Sequence, residues 1–163
     1  MEPFLIWVEH TDYSRWVREA VTLWAFPFML ILHAIGMGFL AGMHIAISLR
    51  ILGVAPGIPL KAMRAYLPLL WFGLVINVFS GVSLLMAYPT KALTNPLFYI
   101  KMALIAIALW TLRWTQKNVF DNGLLPVSAP RMARLAIFCW VAAIFAGRWL
   151  AYTYSKLMSS QDI

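Results

Sequence analysis

Cysteine and acidic residues are scarce in this chain of 163 residues. Cys139 is the one cysteine, so no disulfide forms within the chain and a metal cluster held by several cysteines is excluded. None of the six acidic residues lies between residues 20 and 120. Only 12% of the residues are charged whereas 63% are hydrophobic, which is far more apolar than a soluble domain of this length needs. These scarcities indicate an integral membrane protein.

A compact basic surface is also missing, although the formal net charge is +7. The 13 lysines and arginines are spread between apolar segments rather than gathered on one soluble face, which argues against a nucleic-acid partner. The positive-inside rule explains their distribution better, because the segments at 49–66 and 115–132 and their flanks carry most of them. We expect these two loops in the cytoplasm and both termini outside.

Four apolar windows reach the length of about 20 residues that crosses a bilayer. They lie at residues 21–48, 67–87, 96–114 and 133–154. Each is predicted to be a helix, since backbone groups find no water in lipid, and the short connections make neighbouring helices antiparallel. The expected fold is an all-α integral membrane protein in which residues 1–163 form one four-helix antiparallel bundle.

The first 20 residues, MEPFLIWVEHTDYSRWVREA, lack the basic start and the small-residue cleavage site of a signal peptide. They predict a short interfacial helix that lies on the bilayer surface. Its apolar side chains toward the acyl chains would be Phe4, Leu5, Trp7 and Val8.

Two histidines, His33 and His44, interrupt the first apolar window. At about 100° and 1.5 Å per residue, eleven steps place them within roughly 20° on one helical face and about 16 Å apart. An imidazole in lipid needs a hydrogen bond, a proton-transfer role or a metal. An interhelical hydrogen bond explains one such histidine, whereas two on one face fit two stacked haem b groups with imidazole-bound iron.

The number of histidines limits the haem arrangements. Two haems with two histidines each need four, and the chain has three, of which His10 lies outside the membrane. One solution is a homodimer that pairs His33 and His44 with their copies. The other is a single haem held by His33 and Lys101. Lys101 lies about 8 Å into the third helix, so its amine either snorkels to the headgroups or stays inside as a neutral ligand or proton carrier.

Several further residues would border such a cofactor. Arg148 and Arg50 either snorkel or bind haem propionates, since no carboxylate is available in the middle of the chain. Met37 lies on the same helical face as His33, and Gly36 either makes room for a flat group or marks a close helix contact.

Polar residues of the second helix serve as interhelical hydrogen-bond partners or line a quinone or proton path; they are Asn77, Ser80 and Ser83. The methionines of the first window fill space or bind Cu(I) together with the histidines; they are Met29, Met37 and Met43.

Leu32, His33 and Gly36 in the first window, with Phe98 and Lys101 at the start of the third, form a recognisable pattern. It resembles the small four-helix bacterial membrane proteins that include copper-resistance protein D-like proteins and the HemJ type of protoporphyrinogen oxidase. The resemblance covers residues 22–115 and implies a haem b bound by His33 and Lys101. His44 departs from the HemJ pattern and favours two haems.

The leading functional prediction is a haem b cytochrome that carries electrons across or within the bilayer, as a homodimer with a quinone or a redox protein as partner. Electron transfer is expected rather than self-contained catalysis. A HemJ-like oxidase is the enzymatic alternative and a copper-handling permease is the transport alternative. A subunit that only packs against a larger complex is the structural alternative.

Overall fold

The computed structural model describes residues 2–123 and 125–159, and all regular structure in these ranges is helical. In chain order the elements are α1 (Glu2–Glu9), α2 (Asp12–Glu19), α3 (Phe26–Met37), a π segment (Gly38–Gly42), α4 (Met43–Ile51), a 3-10 segment (Leu60–Tyr66), α5 (Leu67–Ala87), α6 (Pro89–Leu93), α7 (Pro96–Thr115), a second π segment (Gln116–Asp121) and α8 (Ala129–Ser159).

Four helical stretches are long and apolar enough to cross a membrane. They are Phe26–Ile51, Leu60–Ala87, Pro96–Asp121 and Ala129–Leu150. At most 28% of the most apolar window of each is buried within the protein, so their apolar surfaces are compatible with lipid contact. The predicted all-α fold class with four spans is confirmed.

The bounds of the spans differ from the predicted ones where backbone chemistry overrides hydropathy. The first span begins at Phe26 rather than at residue 21, because Pro27 stands in the first turn, where its missing N–H costs nothing. The fourth begins at Ala129. The first ends in a Schellman motif, in which Val54 N–H donates to Leu49 O at 3.0 Å and Gly53 adopts a φ of 95°.

The first span is not a uniform α-helix, since the π segment Gly38–Gly42 lies between His33 and His44. A π turn rotates less per residue than an α turn, so the calculation at a constant 100° does not hold across it. The predicted alignment of the two imidazoles on one face therefore loses its geometric basis.

Contacts between Cα atoms divide the chain into two compact units, and the division falls within this π segment. Unit 1 comprises residues 1–40 and 69–96, and unit 2 comprises residues 41–68 and 97–163.

Unit 1 anchors the N-terminal segment on the ends of two spans. The segment forms two short helices instead of one, and Ser14 and Val17 of α2 are fully buried. The one hydrogen of the Ser14 hydroxyl is shared between two acceptors, Val8 O at 2.8 Å and Met86 O at 2.9 Å. Val17 packs with Met29 and Ala87 in an apolar cluster. Hence α2 is docked on protein, although Phe4 and Trp7 of α1 stay 65% exposed, as the interfacial prediction expects.

In unit 2, α4 packs along α8. Small residues recur on the buried side of α8 at intervals of four, three and seven, and small residues let helices approach closely in lipid. The buried alanines are Ala129, Ala133, Ala136 and Ala143. Trp140 stands among them and is fully buried.

Candidate functional site

A close helix contact in unit 1 sets the position of His33. A Cβ on Gly36 would lie 2.9 Å from the backbone nitrogen of Asn77, and one on Gly73 would lie 2.6 Å from Phe39 Cβ. Neither glycine could carry a side chain without a shift of the backbone. The space that Gly36 leaves is filled by α5, so Gly36 has the packing role rather than the role of making room for a cofactor.

Asn77 and Ser80 of α5 hold the backbone and the ring of His33. The Asn77 side-chain amide donates to His33 O at 3.0 Å. Ser80 Oγ lies 3.1 Å from His33 Nδ1, and the half-buried imidazole also passes Gly81, whose Cβ position is 3.4 Å from His33 Cε1. Asn77 and Ser80 therefore make interhelical hydrogen bonds, as predicted, and their partner is the predicted site residue His33.

The hydrogen bonds of Ser80 fix the tautomer of His33. The Ser80 hydroxyl donates its one hydrogen to Ile76 O at 2.8 Å, with Asn77 O at 3.3 Å as a second acceptor. Both contacts of Ser80 Oγ are satisfied when His33 Nδ1–H donates to it. The neutral ring consequently keeps its lone pair on Nε2, which is the form in which an imidazole binds a metal or accepts a proton.

His44 lies in unit 2 in a different hydrogen-bond environment. Its ring is fully buried, and Trp140 Nε1 lies 2.9 Å from His44 Nδ1, with the two rings near perpendicular at 82°. An indole N–H only donates, so Nδ1 must accept and the neutral ring carries its proton on Nε2.

The resulting His44 Nε2–H is buried, and within the described ranges it has no hydrogen-bond partner. A buried donor without an acceptor is costly and needs an explanation. In this tautomer Nε2 has no lone pair for iron. His44 thus presents a donor, whereas His33 presents an acceptor.

Lys101 belongs to unit 2 and points toward α8. Its Nζ lies 3.4 Å from the Cβ position of Gly147, and the side chain is half-buried. A bulkier residue than glycine would press on the ammonium group. Arg148, the next residue of α8, is exposed. Its predicted contact with a haem propionate stays a prediction.

Arg50 is engaged by the loop that follows its own helix. Its Nε donates to Ile58 O and its Nη2 to Pro56 O at 3.2 Å. The guanidinium therefore closes the turn after α4, and binding a propionate would use its remaining N–H groups.

Met37 is half-buried, and its role beside the cofactor stays a prediction. Met29 is 5% exposed and belongs to the apolar cluster with Val17, which is the space-filling alternative.

Sequence reasoning missed two polar aromatic side chains that make long-range hydrogen bonds. Tyr13 OH bonds to Ser83 Oγ at 2.8 Å, and the Ser83 hydroxyl is already donated to Phe79 O, so Tyr13 is the donor. Trp140 is the other. A tryptophan in the middle of a span rather than at an interface was the available signal, because its N–H needs an acceptor in lipid.

No preassembled metal site of three or more His, Cys, Asp or Glu side chains occurs in the part of the chain that the structure describes. No family model, no curated protein and no solved structure matches the chain. The likeness to copper-resistance protein D-like and HemJ proteins stays a prediction.

Proposed function

We propose that the protein is a haem b-binding membrane protein that carries electrons within the bilayer, with His33 as an axial ligand of the iron. The observation that carries the proposal is the hydrogen bond from His33 Nδ1 to Ser80 Oγ at 3.1 Å. It orients the ring and keeps the lone pair on Nε2, as a metal-binding histidine requires.

A porphyrin suits this chain better than a bare metal ion. The described residues gather no three strong metal ligands, whereas a porphyrin supplies four nitrogens of its own and asks the protein for one or two axial ligands. When bound, haem b supplies a one-electron iron couple in the apolar interior. Ser80 holds the ligand ring, and Asn77 fixes the backbone from which that ring extends.

The proposal uses His33 and not His44 as a haem ligand. Binding iron through His44 Nε2 would require the Trp140 hydrogen bond to break and the proton to move to Nδ1. Binding iron through His33 Nε2 leaves the hydrogen bond between His33 Nδ1 and Ser80 Oγ in place.

The second axial ligand comes from one of two sources. A homodimer would supply His33 of a second copy, with a quinol or a redox protein as electron partner. Lys101 is the alternative, and it is the arrangement of a HemJ-like porphyrin oxidase. The half-buried position of Lys101 beside Gly147 favours an internal role for the amine over complete snorkelling.

The same proposal includes a bacterial cytoplasmic membrane and the orientation with both termini outside. The distribution of Lys and Arg supports it, because Arg50, Lys61, Arg64, Lys117 and Arg131 all lie in or beside the loops at 49–66 and 115–132. Labelling of single cysteines in intact cells, placed at residues 57 and 94 in a Cys139→Ala background, checks it. We expect labelling by an impermeant thiol reagent at 94 and protection at 57.

Absorption spectroscopy of purified protein tests haem binding. The protein is produced with haem supplementation, extracted in detergent, and examined oxidised and reduced. We expect a Soret band and a reduced α band. Extraction as the pyridine complex should give close to one haem b per chain if Lys101 is the second ligand, and one per two chains if a second His33 is. His33→Ala should lose the haem, and His44→Ala is the matched control that should keep it.

Two further variants separate the alternatives. Ser80→Ala should weaken haem retention by about 10- to 100-fold, since it removes the group that orients the ligand. Lys101→Gln should change the spectrum only if Lys101 is the second ligand, whereas dimer dissociation should change it only if a second His33 is. Colourless wild-type protein from haem-replete cells, or full haem content in His33→Ala, would refute the proposal.

A further inference from the structure

A cavity of about 480 Å³ opens in unit 2. It is lined by the beginning of the second span, the end of the third span and the loop that follows the third span. Its walls combine two cationic side chains with apolar ones; the residues that matter are Leu60, Lys61, Arg64, Val119, Phe120 and Leu125. None of these residues takes part in the proposed haem site.

The 3-10 geometry of Leu60–Tyr66 brings the two cations to one side. Side chains three residues apart eclipse each other in a 3-10 helix, so Lys61 and Arg64 point the same way. In an α-helix they would diverge by about 60°. The tight segment thus gathers positive charge at the cavity wall.

Part of this charge is already compensated. Arg64 Nη1 donates to Phe120 O at 3.2 Å, and Nη2 lies 3.2 Å from Asp121 Oδ1. Asp121 is the only acidic residue between residues 20 and 161 of the sequence. These two contacts use two of the five guanidinium N–H groups and hold Arg64 in place. Lys61 is exposed beside Arg64, so the two cations outnumber this one carboxylate.

We propose that this cavity binds the phosphate group of an anionic phospholipid, with Lys61 and Arg64 on the phosphate oxygens. Guanidinium and ammonium groups are the usual partners of phosphate, and basic pockets at helix ends hold acidic lipid headgroups. The apolar walls Leu60, Val119 and Leu125 suit the first methylenes of the acyl chains, which a free phosphate ion would not use.

Binding is tested with the purified full-length protein after removal of lipid by detergent exchange. Dioctanoyl phosphatidylglycerol, dioctanoyl phosphatidylcholine and inorganic phosphate are titrated in turn, and thermal unfolding is followed by tryptophan fluorescence. A ligand that binds only the folded state raises the midpoint, and the stabilisation grows as RT ln(1 + L/Kd) with the ligand concentration L. We expect a rise that follows this law with phosphatidylglycerol and much weaker effects of the other two.

Lys61→Gln should raise the dissociation constant for phosphatidylglycerol by about fivefold, the value of one lysine near an anionic headgroup. Lys117→Gln removes the same charge from an exposed residue outside the cavity and should change the constant by less than about twofold. Circular dichroism of both variants controls for folding. Equal weakening in the two variants, or no rise of the midpoint with phosphatidylglycerol, overturns the site. An equal rise with inorganic phosphate at the same concentrations overturns the lipid as its source.

Discussion

The hydrogen bond between Trp140 and His44 can be tested by counting unsatisfied polar groups. The wild-type pair contains one, the Nε2–H of His44. Trp140→Phe removes the donor to Nδ1 and leaves two, His44→Leu leaves only the Trp140 N–H, and the double variant leaves none. We therefore expect Trp140→Phe to be the most destabilised of the three.

The magnitude follows from the burial of both residues, which are 0% exposed, and from the 2.9 Å between Trp140 Nε1 and His44 Nδ1. Double-mutant cycles on hydrogen bonds between membrane helices give interaction energies of about 0.6 kcal/mol on average and about 1.7 kcal/mol at most. Full burial places this pair near the upper value. The smaller ring of Trp140→Phe adds a cavity term of about 1 kcal/mol. We expect a loss of about 2 to 3 kcal/mol for Trp140→Phe and less than about 1 kcal/mol for His44→Leu.

The assay is reversible unfolding in mixed detergent micelles by increasing dodecyl sulfate, for the wild type and the three variants. The double variant should be more stable than the sum of the single effects predicts, by about 0.6 to 1.7 kcal/mol. Additive effects within about 0.3 kcal/mol would refute the hydrogen bond and, with it, the assignment of the His44 tautomer.

Two further predictions concern packing in unit 1. Gly73→Ala places a Cβ 2.6 Å from Phe39 Cβ and 2.9 Å from Leu40 N, so it should cost about 1 to 3 kcal/mol by overpacking in the same unfolding assay. Gly38→Ala, where a Cβ meets nothing within 4 Å, is its control and should be neutral or slightly stabilising; equal losses would contradict the close contact. Ser14→Ala should loosen α2 by about 1 kcal/mol, seen as faster tryptic cleavage after Arg15 or Arg18, since the link to Met86 O is lost. Thr94→Ala, whose hydroxyl bonds within its own turn, should leave the cleavage rate unchanged, and equal rates in all three proteins would show that α2 is not held by Ser14.

Hydropathy was sufficient to predict the fold class and the number of spans. Transmembrane helices satisfy their backbone locally, so a window of the right length determines the element without knowledge of its neighbours. The third window was predicted to begin at residue 96, and α7 begins at Pro96. The interiors of the spans were less predictable. The π segment at Gly38–Gly42 was missed because a sequence read at a constant 100° contains no signal for an inserted residue.

The hydrogen-bond partners of the polar residues were the least predictable feature from the sequence. Ser80 is 47 positions from His33, and Trp140 is 96 positions from His44. Both partners depend on which faces of separate helices meet. The composition of the second helix still indicated interhelical hydrogen bonding, and Asn77 and Ser80 confirm that role. Nothing in the pattern around the two histidines distinguished their chemistry.

The different tautomers of His33 and His44 follow from their hydrogen-bond partners, Ser80 and Trp140, and lead to a direct spectroscopic prediction. Serine can accept a hydrogen bond while its own hydrogen goes to Ile76 O, so it leaves the proton of His33 on Nδ1. Tryptophan can only donate, so it drives the proton of His44 to Nε2. Nitrogen NMR of protein carrying ¹⁵N-labelled histidine should therefore show, near neutral pH without haem, one ring protonated at Nδ1 and another at Nε2. Assignment follows from His33→Ala and His44→Ala, each of which removes one pattern. If the His33 and His44 rings share one tautomer, the opposite roles assigned to these two residues are wrong.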